Sequence, residues 1–192
     1  MAIIQHKDIP DAQLHEPKGI ASATVGQTYV ADGAGGGVWK LEQAYGEMQV
    51  LQNSTALAVT AATDSTLYTT SDYIKITGIW SAGVVDGITY ANDQLTVPVT
   101  GVYHLAGWAN TTSSASNVLV GVKYAINGTV IPSNLAPTIR RKIGTGTDIG
   151  SISGIGLVSL TAGDVISLYL ACDTTCNITV PDAGLSLHLV KS

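Results

Sequence analysis

From about residue 65 to the C-terminus, apolar and polar positions alternate with a period of two, and no stretch there repeats at helical spacing. Tyr73 to Trp80 ("YIKITGIW") alternates, and Leu95, Val97 and Val99 share one face, with Pro98 marking an edge or a bulge. Val118, Val120, Val122, Tyr124 and Ile126 share a face and run into Asn127-Gly128, the strongest short-range hairpin signal. "GLVSL" and "DVISLYL" are separated by Thr161-Ala162-Gly163, a tight turn, and near the C-terminus Leu185, Leu187 and Leu189 point one way. Strands at this spacing, punctuated by Gly, Asn, Asp and Pro without crossover helices, predict an all-β fold over residues 65–192, an antiparallel sandwich or jelly roll. In "GVYHLAGWA" both faces are largely apolar: Val102, His104, Ala106 and Trp108 alternate with Tyr103 and Leu105. One face is expected to meet the core and the other a neighbouring subunit.

Residues 1–47 differ in kind. Pro10, Pro17 and the polar run "HKDIPDAQLHEPKG" offer little to a core, so this segment reads as an extended anchoring arm. Within it "QTYVA" and "GVWKL" are short strands of a hairpin around the glycine-rich loop Asp32–Gly37. That loop is not a nucleotide cradle. A dinucleotide fingerprint would need glycine where Val38 stands, a phosphate loop would need Lys-Ser/Thr after Gly37, and no helix N-terminus follows. Residues 48–64 form a connector with room for one short helix.

Composition sharpens this division. Charged residues are 12% of the chain, against roughly 25% in an average soluble protein. Nine of the 23 fall within residues 1–47, so the long remainder must cover its surface with Thr, Ser, Asn and Gly or bury it against other subunits. A net charge of −5 leaves no electrostatic footprint for nucleic acid, and the one basic cluster, Arg140-Arg141-Lys142, has no interleaved aromatics. No run of eighteen apolar residues is present for a membrane span, and the N-terminus lacks a signal-peptide core, so synthesis in a cytoplasm is expected. Cys172 and Cys176 stand without a nearby histidine, short of the four ligands of a zinc site, and are expected as free thiols.

Catalytic sets are missing from the pattern. His6 and His15 lie in the arm, and His104 and His188 within strand alternations; "GSISG" places serine on the wrong positions for a nucleophile elbow. Asp164 suits an Asx turn better than acid catalysis. The chain therefore reads as a non-enzyme with no metal and no cofactor.

Two resemblances give this reading a direction. "GITYANDQLTVPVTGVYHLAGWAN" resembles the central signature of the complement globular-head and tumour-necrosis-factor jelly-roll superfamily, through Tyr90, Val97-Pro98, Gly101 and Val102-Tyr103, with Trp108 following. "LVSLTAGDVISLYL" is similar to that superfamily's Gly-Asp strand pair through Leu160, Gly163, Asp164, Val165 and Leu168. The resemblance implies a homotrimeric jelly-roll knob. It departs from the pattern at the end, where the superfamily's Phe-x-Gly-Phe strand has no counterpart in a chain without phenylalanine. The arm, over about residues 8–39, resembles N-terminal segments of tailed-bacteriophage head-fibre, capsid-decoration and tail-fibre proteins, through His15, Glu16, Pro17, Lys18, Gly19 and the Gly33–Trp39 loop. This implies a capsid-docking arm using His15, Glu16, Pro17, Lys18, Tyr29, Gly35 and Trp39, a major capsid protein or other virion protein as partner, and a place on the capsid surface. The alternatives are a tail-fibre tip contacting a host surface glycan and, further off, a polysaccharide-degrading enzyme.

Overall fold

The computed structural model describes residues 23, 26–31, 34, 37–41, 43–132, 138–144 and 147–192. The chain divides into two compact units, Met1–Glu42 and Gln43–Ser192. The first holds a hairpin of β1 (Gln27–Ala31) and β2 (Gly37–Leu41), the two strands anticipated around the glycine loop. Its antiparallel register sets Tyr29 opposite Trp39 and Val30 opposite Val38.

In the second unit the chain forms β3 (Tyr45–Val50), β4 (Ala56–Val59), β5 (Ile74–Lys75), β6 (Ser81–Asp86), β7 (Thr89–Ala91), β8 (Gln94–Thr96) and β9 (Gly101–Ser113). It continues through β10 (Val118–Ile126), β11 (Thr129–Val130), β12 (Ile139–Ile143), β13 (Gly150–Leu160), β14 (Val165–Cys172) and β15 (Cys176–Lys191). Two antiparallel sheets result. The six-stranded sheet runs β13-β9-β15-β3-β6, with β4 also on β15. The seven-stranded sheet runs β11-β10-β14-β8-β7, with β12 on β10 and β5 on β14.

The core lies between them. Tyr103, Leu105 and Ala109 of β9 and Leu185, Leu187 and Leu189 of β15 face Val120, Val122 and Tyr124 of β10 and Ile166, Leu168 and Leu170 of β14, all buried. The alternation that predicted these strands is thus the alternation of core and exterior. Tyr124 ties the sheets directly. Its ring lies against Gly107 of β9, where a Cβ would come 2.7 Å from the ring carbon Cε1, and its hydroxyl donates to the Gly154 carbonyl of β13 at 2.6 Å. Burial pushes that phenol up to about 12.

The turns follow their sequence signals. Asn127 (φ 51°) and Gly128 (φ 77°) both take positive φ in the two-residue link between β10 and β11, as a type I′ turn requires. Asn92 (φ 52°) and Asp93 (φ 59°) do the same between β7 and β8 without a glycine, a conformation their short polar side chains tolerate.

Two expectations need correction. The sandwich begins before residue 65: the arm set at 1–47 gives way at Glu42, because β3 lies inside the six-stranded sheet, paired with β15 on one side and β6 on the other. The proposed connector 48–64 holds the rest of β3 and all of β4, and no helix. Gly46, Met48 and Val50 alternate inward along β3, and this burial overrides the helical propensity of Glu47, Met48 and Gln49. Conversely, only Ile74 and Lys75 of the Tyr73–Trp80 stretch pair as a strand, since Gly78 turns the chain away at φ 76°.

The outer faces of the two sheets are finished differently. Part of the seven-stranded sheet's outer face is covered by its own chain: Leu67 and Tyr73 pack with Ala125, Val130 and Ala171. That covering loop is pinned by Asp64, whose carboxylate accepts hydrogen bonds from Thr66, Thr69 and Tyr68. The Thr66 hydroxyl and amide, with the other donors, hold it well below the usual carboxylate range. Under the loop Lys123 is buried, which lowers its pKa, with its ammonium 5.7 Å from the Tyr73 ring centroid.

Candidate functional site

The outward positions of the six-stranded sheet expose several large apolar side chains, Trp108, Ile155 and Leu157 among them. Because β9 turns Tyr103, Leu105, Gly107 and Ala109 inward, Val102, His104, Ala106 and Trp108 must face out. Register places them beside the outward residues of neighbouring strands. Leu157, His104, His188 and Tyr45 form one cross-strand row; Ile155, Ala106, Ser186 and Glu47 form the next; Ser153, Trp108, Gly184 and Gln49 form a third. Ile155 is 69% exposed, Leu157 66% and Trp108 41%. No Asp, Glu, Lys or Arg occupies an outward position of β9 or β13. An aliphatic side chain two-thirds in water gives up hydrophobic free energy that a covering surface would recover.

Trp108 owes its pose to Gly184. A Cβ at Gly184 would collide with the indole Nε1, so glycine there lets the ring lie close against β15. Beside it opens a depression of about 180 Å3 lined by Glu47, Gln49, Ala106, Trp108, Gly184 and Ser186, among others. Glu47 is turned to the sheet edge, where its Oε1 accepts from the Val84 amide at 3.2 Å.

The sequence-singled residues separate into three groups. Tyr29 and Trp39 meet across the first-unit hairpin, with ring centroids 5.2 Å apart in an edge-on arrangement. His15, Glu16, Pro17, Lys18 and Gly35 lie outside the described residues. In the second unit Gly101, Tyr103, Gly163 and Asp164 come together at one end of the sandwich. The Val97 amide donates to the Asp164 carbonyl at 3.0 Å, the Gly163 amide to the Val97 carbonyl at 2.9 Å, and the Tyr103 hydroxyl to the Val99 carbonyl at 2.8 Å. Gly163 (φ 90°) permits the turn, and a Cβ at Gly101 would strike the Lys191 carbonyl.

Asp164 joins two turns: its Oδ2 accepts from the Thr161 amide at 2.8 Å and its Oδ1 from the Asn127 side-chain amide at 2.7 Å. Tyr90 stands apart on β7, its hydroxyl donating to the Trp80 carbonyl at 2.8 Å. Burial raises the pKa of both Tyr90 and Tyr103. These residues build the fold; of the signature, Val102 and Trp108 stand on the open face. Ile155, Leu157 and His188 complete that face and were not singled out as its members, because only strand register brings them beside β9.

Cys172 and Cys176 are free thiols whose sulfurs stand 3.9 Å apart where the chain crosses between the sheets. Burial, then the neighbouring Cys176, pushes the Cys172 thiol up to about 12, and its S–H donates to the Thr174 carbonyl at 2.9 Å. Such a thiol stays protonated and is a poor nucleophile at neutral pH. Among the described residues no group of three or more His, Cys, Asp or Glu side chains converges.

No protein-family model and no curated protein sequence matches the chain. Solved structures do. The globular domain of zebrafish complement 1qA protein matches with a TM-score of 0.50 at 13% identity, over 78% of this chain and 98% of that one. Murine APRIL at pH 5.0 matches with a TM-score of 0.49 at 15% identity, over 77% and 98%. Eiger TNF from S. frugiperda matches with a TM-score of 0.48 at 12% identity, over 76% and 92%. At such identities the likeness is one of fold. The body of this chain is an all-β antiparallel jelly-roll sandwich similar to the complement 1q globular head.

Proposed function

We propose that the chain is a homotrimeric virion surface protein of a tailed bacteriophage, a capsid decoration or head fibre. It docks on the major capsid protein or another virion protein through its N-terminal residues and displays the jelly roll as a knob. The observation that carries the trimer is the contrast between the outer faces. One sheet is covered in part by Leu67 and Tyr73 of its own chain, whereas the other presents Ile155, Leu157 and Trp108 to solvent. A second and third copy are the occupants this face fits, because its β9 and β13 positions hold no Asp, Glu, Lys or Arg and the β15 positions beside them include the small Gly184 and Ser186.

The docking role is supported by the resemblance of residues 8–39 to phage virion segments and by the separate hairpin in which Trp39 packs on Tyr29. Three arms on one trimer bind with an avidity above that of a single arm. The role is mechanical, without catalysis. The non-enzymatic reading is supported by the commitment of the Tyr90, Tyr103 and Tyr124 hydroxyls to backbone carbonyls and by the protonated Cys172.

Immunogold labelling of intact particles with an antibody against the knob tests the assignment. Gold over the head shell is the expected result. Gold at the tail tips would replace it with the receptor-binding tail-fibre reading, in which the knob contacts a host surface glycan, and unlabelled particles would overturn both.

A further inference from the structure

His104 of β9 and His188 of β15 stand directly opposite each other in the antiparallel register, both on the outward face. Side chains so paired have Cβ atoms about 4.5–5.5 Å apart. From there two imidazoles can turn one nitrogen each onto a common ion at the usual Zn–N distance of about 2.0–2.1 Å. Neither ring makes a hydrogen bond or ion pair with a described residue, so no competing contact holds either one. The walls suit a bound ion. Leu157 flanks His104 and Tyr45 flanks His188 in the same row, while Ala106 and Ser186 lie in the next row. The charged groups around the pair are Glu47, diagonal to His188 on β3, Asp86 beyond Tyr45 on β6, and Lys191 beside Val102 at the end of β15.

We infer that His104 and His188 form a cross-strand chelate for a late first-row divalent cation such as Zn2+ or Ni2+. One chain supplies two imidazoles, and water or a second copy supplies the remaining positions. Imidazole donors select these ions over the oxygen-seeking Mg2+ and Ca2+. The pair lies within the face assigned above to neighbouring subunits, so the inference deepens that reading without depending on it. An ion bound there would bias the assembly in which its ligands are best organised.

The test is calorimetric titration of the full, untagged chain with ZnCl2, NiCl2 and CaCl2, alongside His104→Ala, His188→Ala and the double variant, each checked for its β-sheet circular dichroism. Binding of Zn2+ and Ni2+ at no more than one ion per chain is expected, weakened about ten-fold or more by either single change and lost in the double variant, with no binding of Ca2+. Paramagnetic broadening by Ni2+ of the Leu157 methyl and Tyr45 ring resonances gives a second readout on the unaltered protein. Absence of Zn2+ and Ni2+ binding, or binding retained by the double variant, overturns the inference. Sedimentation of the same samples separates the two proposals: a trimer that binds no ion sinks the metal site alone, and a monomer that binds one sinks the trimer alone.

Discussion

Gly107→Ala probes the tie between the sheets. The added methyl would stand 2.7 Å from Tyr124 Cε1 and 3.0 Å from its hydroxyl oxygen, inside van der Waals contact with a buried, rigid ring. The ring must shift, and its 2.6 Å hydrogen bond to the Gly154 carbonyl is strained or lost. Overpacking of this kind costs about 1–3 kcal/mol. Losing a buried hydroxyl's partner adds about 1–2 kcal/mol. The expected destabilisation is about 2–5 kcal/mol, or of the order of 10 °C in melting temperature for a domain of this size.

Urea denaturation at fixed protein concentration measures it. Gly156→Ala on the neighbouring strand is the control, because a Cβ there meets nothing within 4 Å. It should stay within about 0.5 kcal/mol of the parent. Repeating Gly107→Ala in a Tyr124→Leu background should recover most of the loss, since the obstructing ring is gone. Equal costs for the two glycine changes, or an undiminished cost in the Tyr124→Leu background, would refute the account of how the sheets are joined.

Other perturbations address the open face, the turns and the buried phenols. Ile155→Ser with Leu157→Ser should leave the β-sheet circular dichroism unchanged but remove about 1–2 kcal/mol per side chain of interface burial, enough over six side chains to yield monomers in sedimentation velocity and to lower the melting temperature by the association lost. Asp164→Ala deletes hydrogen bonds to Asn127 and Thr161 and should cost about 1–2 kcal/mol in urea denaturation. An unchanged midpoint would remove its turn-joining role. Tyr124 ionises at about 12 when folded against 10.0 for the free phenol, so the unfolded chain loses its proton first. Its contribution to stability is therefore complete below pH 10 and is lost as pH rises towards 12, which denaturation curves paired with ultraviolet tyrosinate absorbance should follow.

Local chemistry explains which features could be read from the sequence. The β10–β11 hairpin was legible because Asn127-Gly128 supplies two residues that accept positive φ, and the Gly163-Asp164 turn because glycine and an Asx side chain close it together. The inward run Leu185, Leu187 and Leu189 was equally plain and fills the last strand's core positions in a chain that has no phenylalanine. Strand β3 was not legible. Its inward residues are Gly46, Met48 and Val50, a weak stripe among good helix formers, and its partner β15 lies at the far end of the unit. The alternation at Tyr73–Trp80 misled in the opposite sense: Tyr73, Ile76 and Trp80 are buried by a loop whose backbone largely pairs with nothing strand-like. As for the open face, Val102 to Trp108 announced an apolar exterior, but Ile155, Leu157 and His188 join it only through register, which no single segment encodes.

Sedimentation equilibrium of the full chain at micromolar concentration and neutral pH tests whether the β13-β9-β15 face is closed by copies of the same chain. A single species of three times the 19.8 kDa chain mass is expected, and a stable, soluble monomer would contradict the trimer.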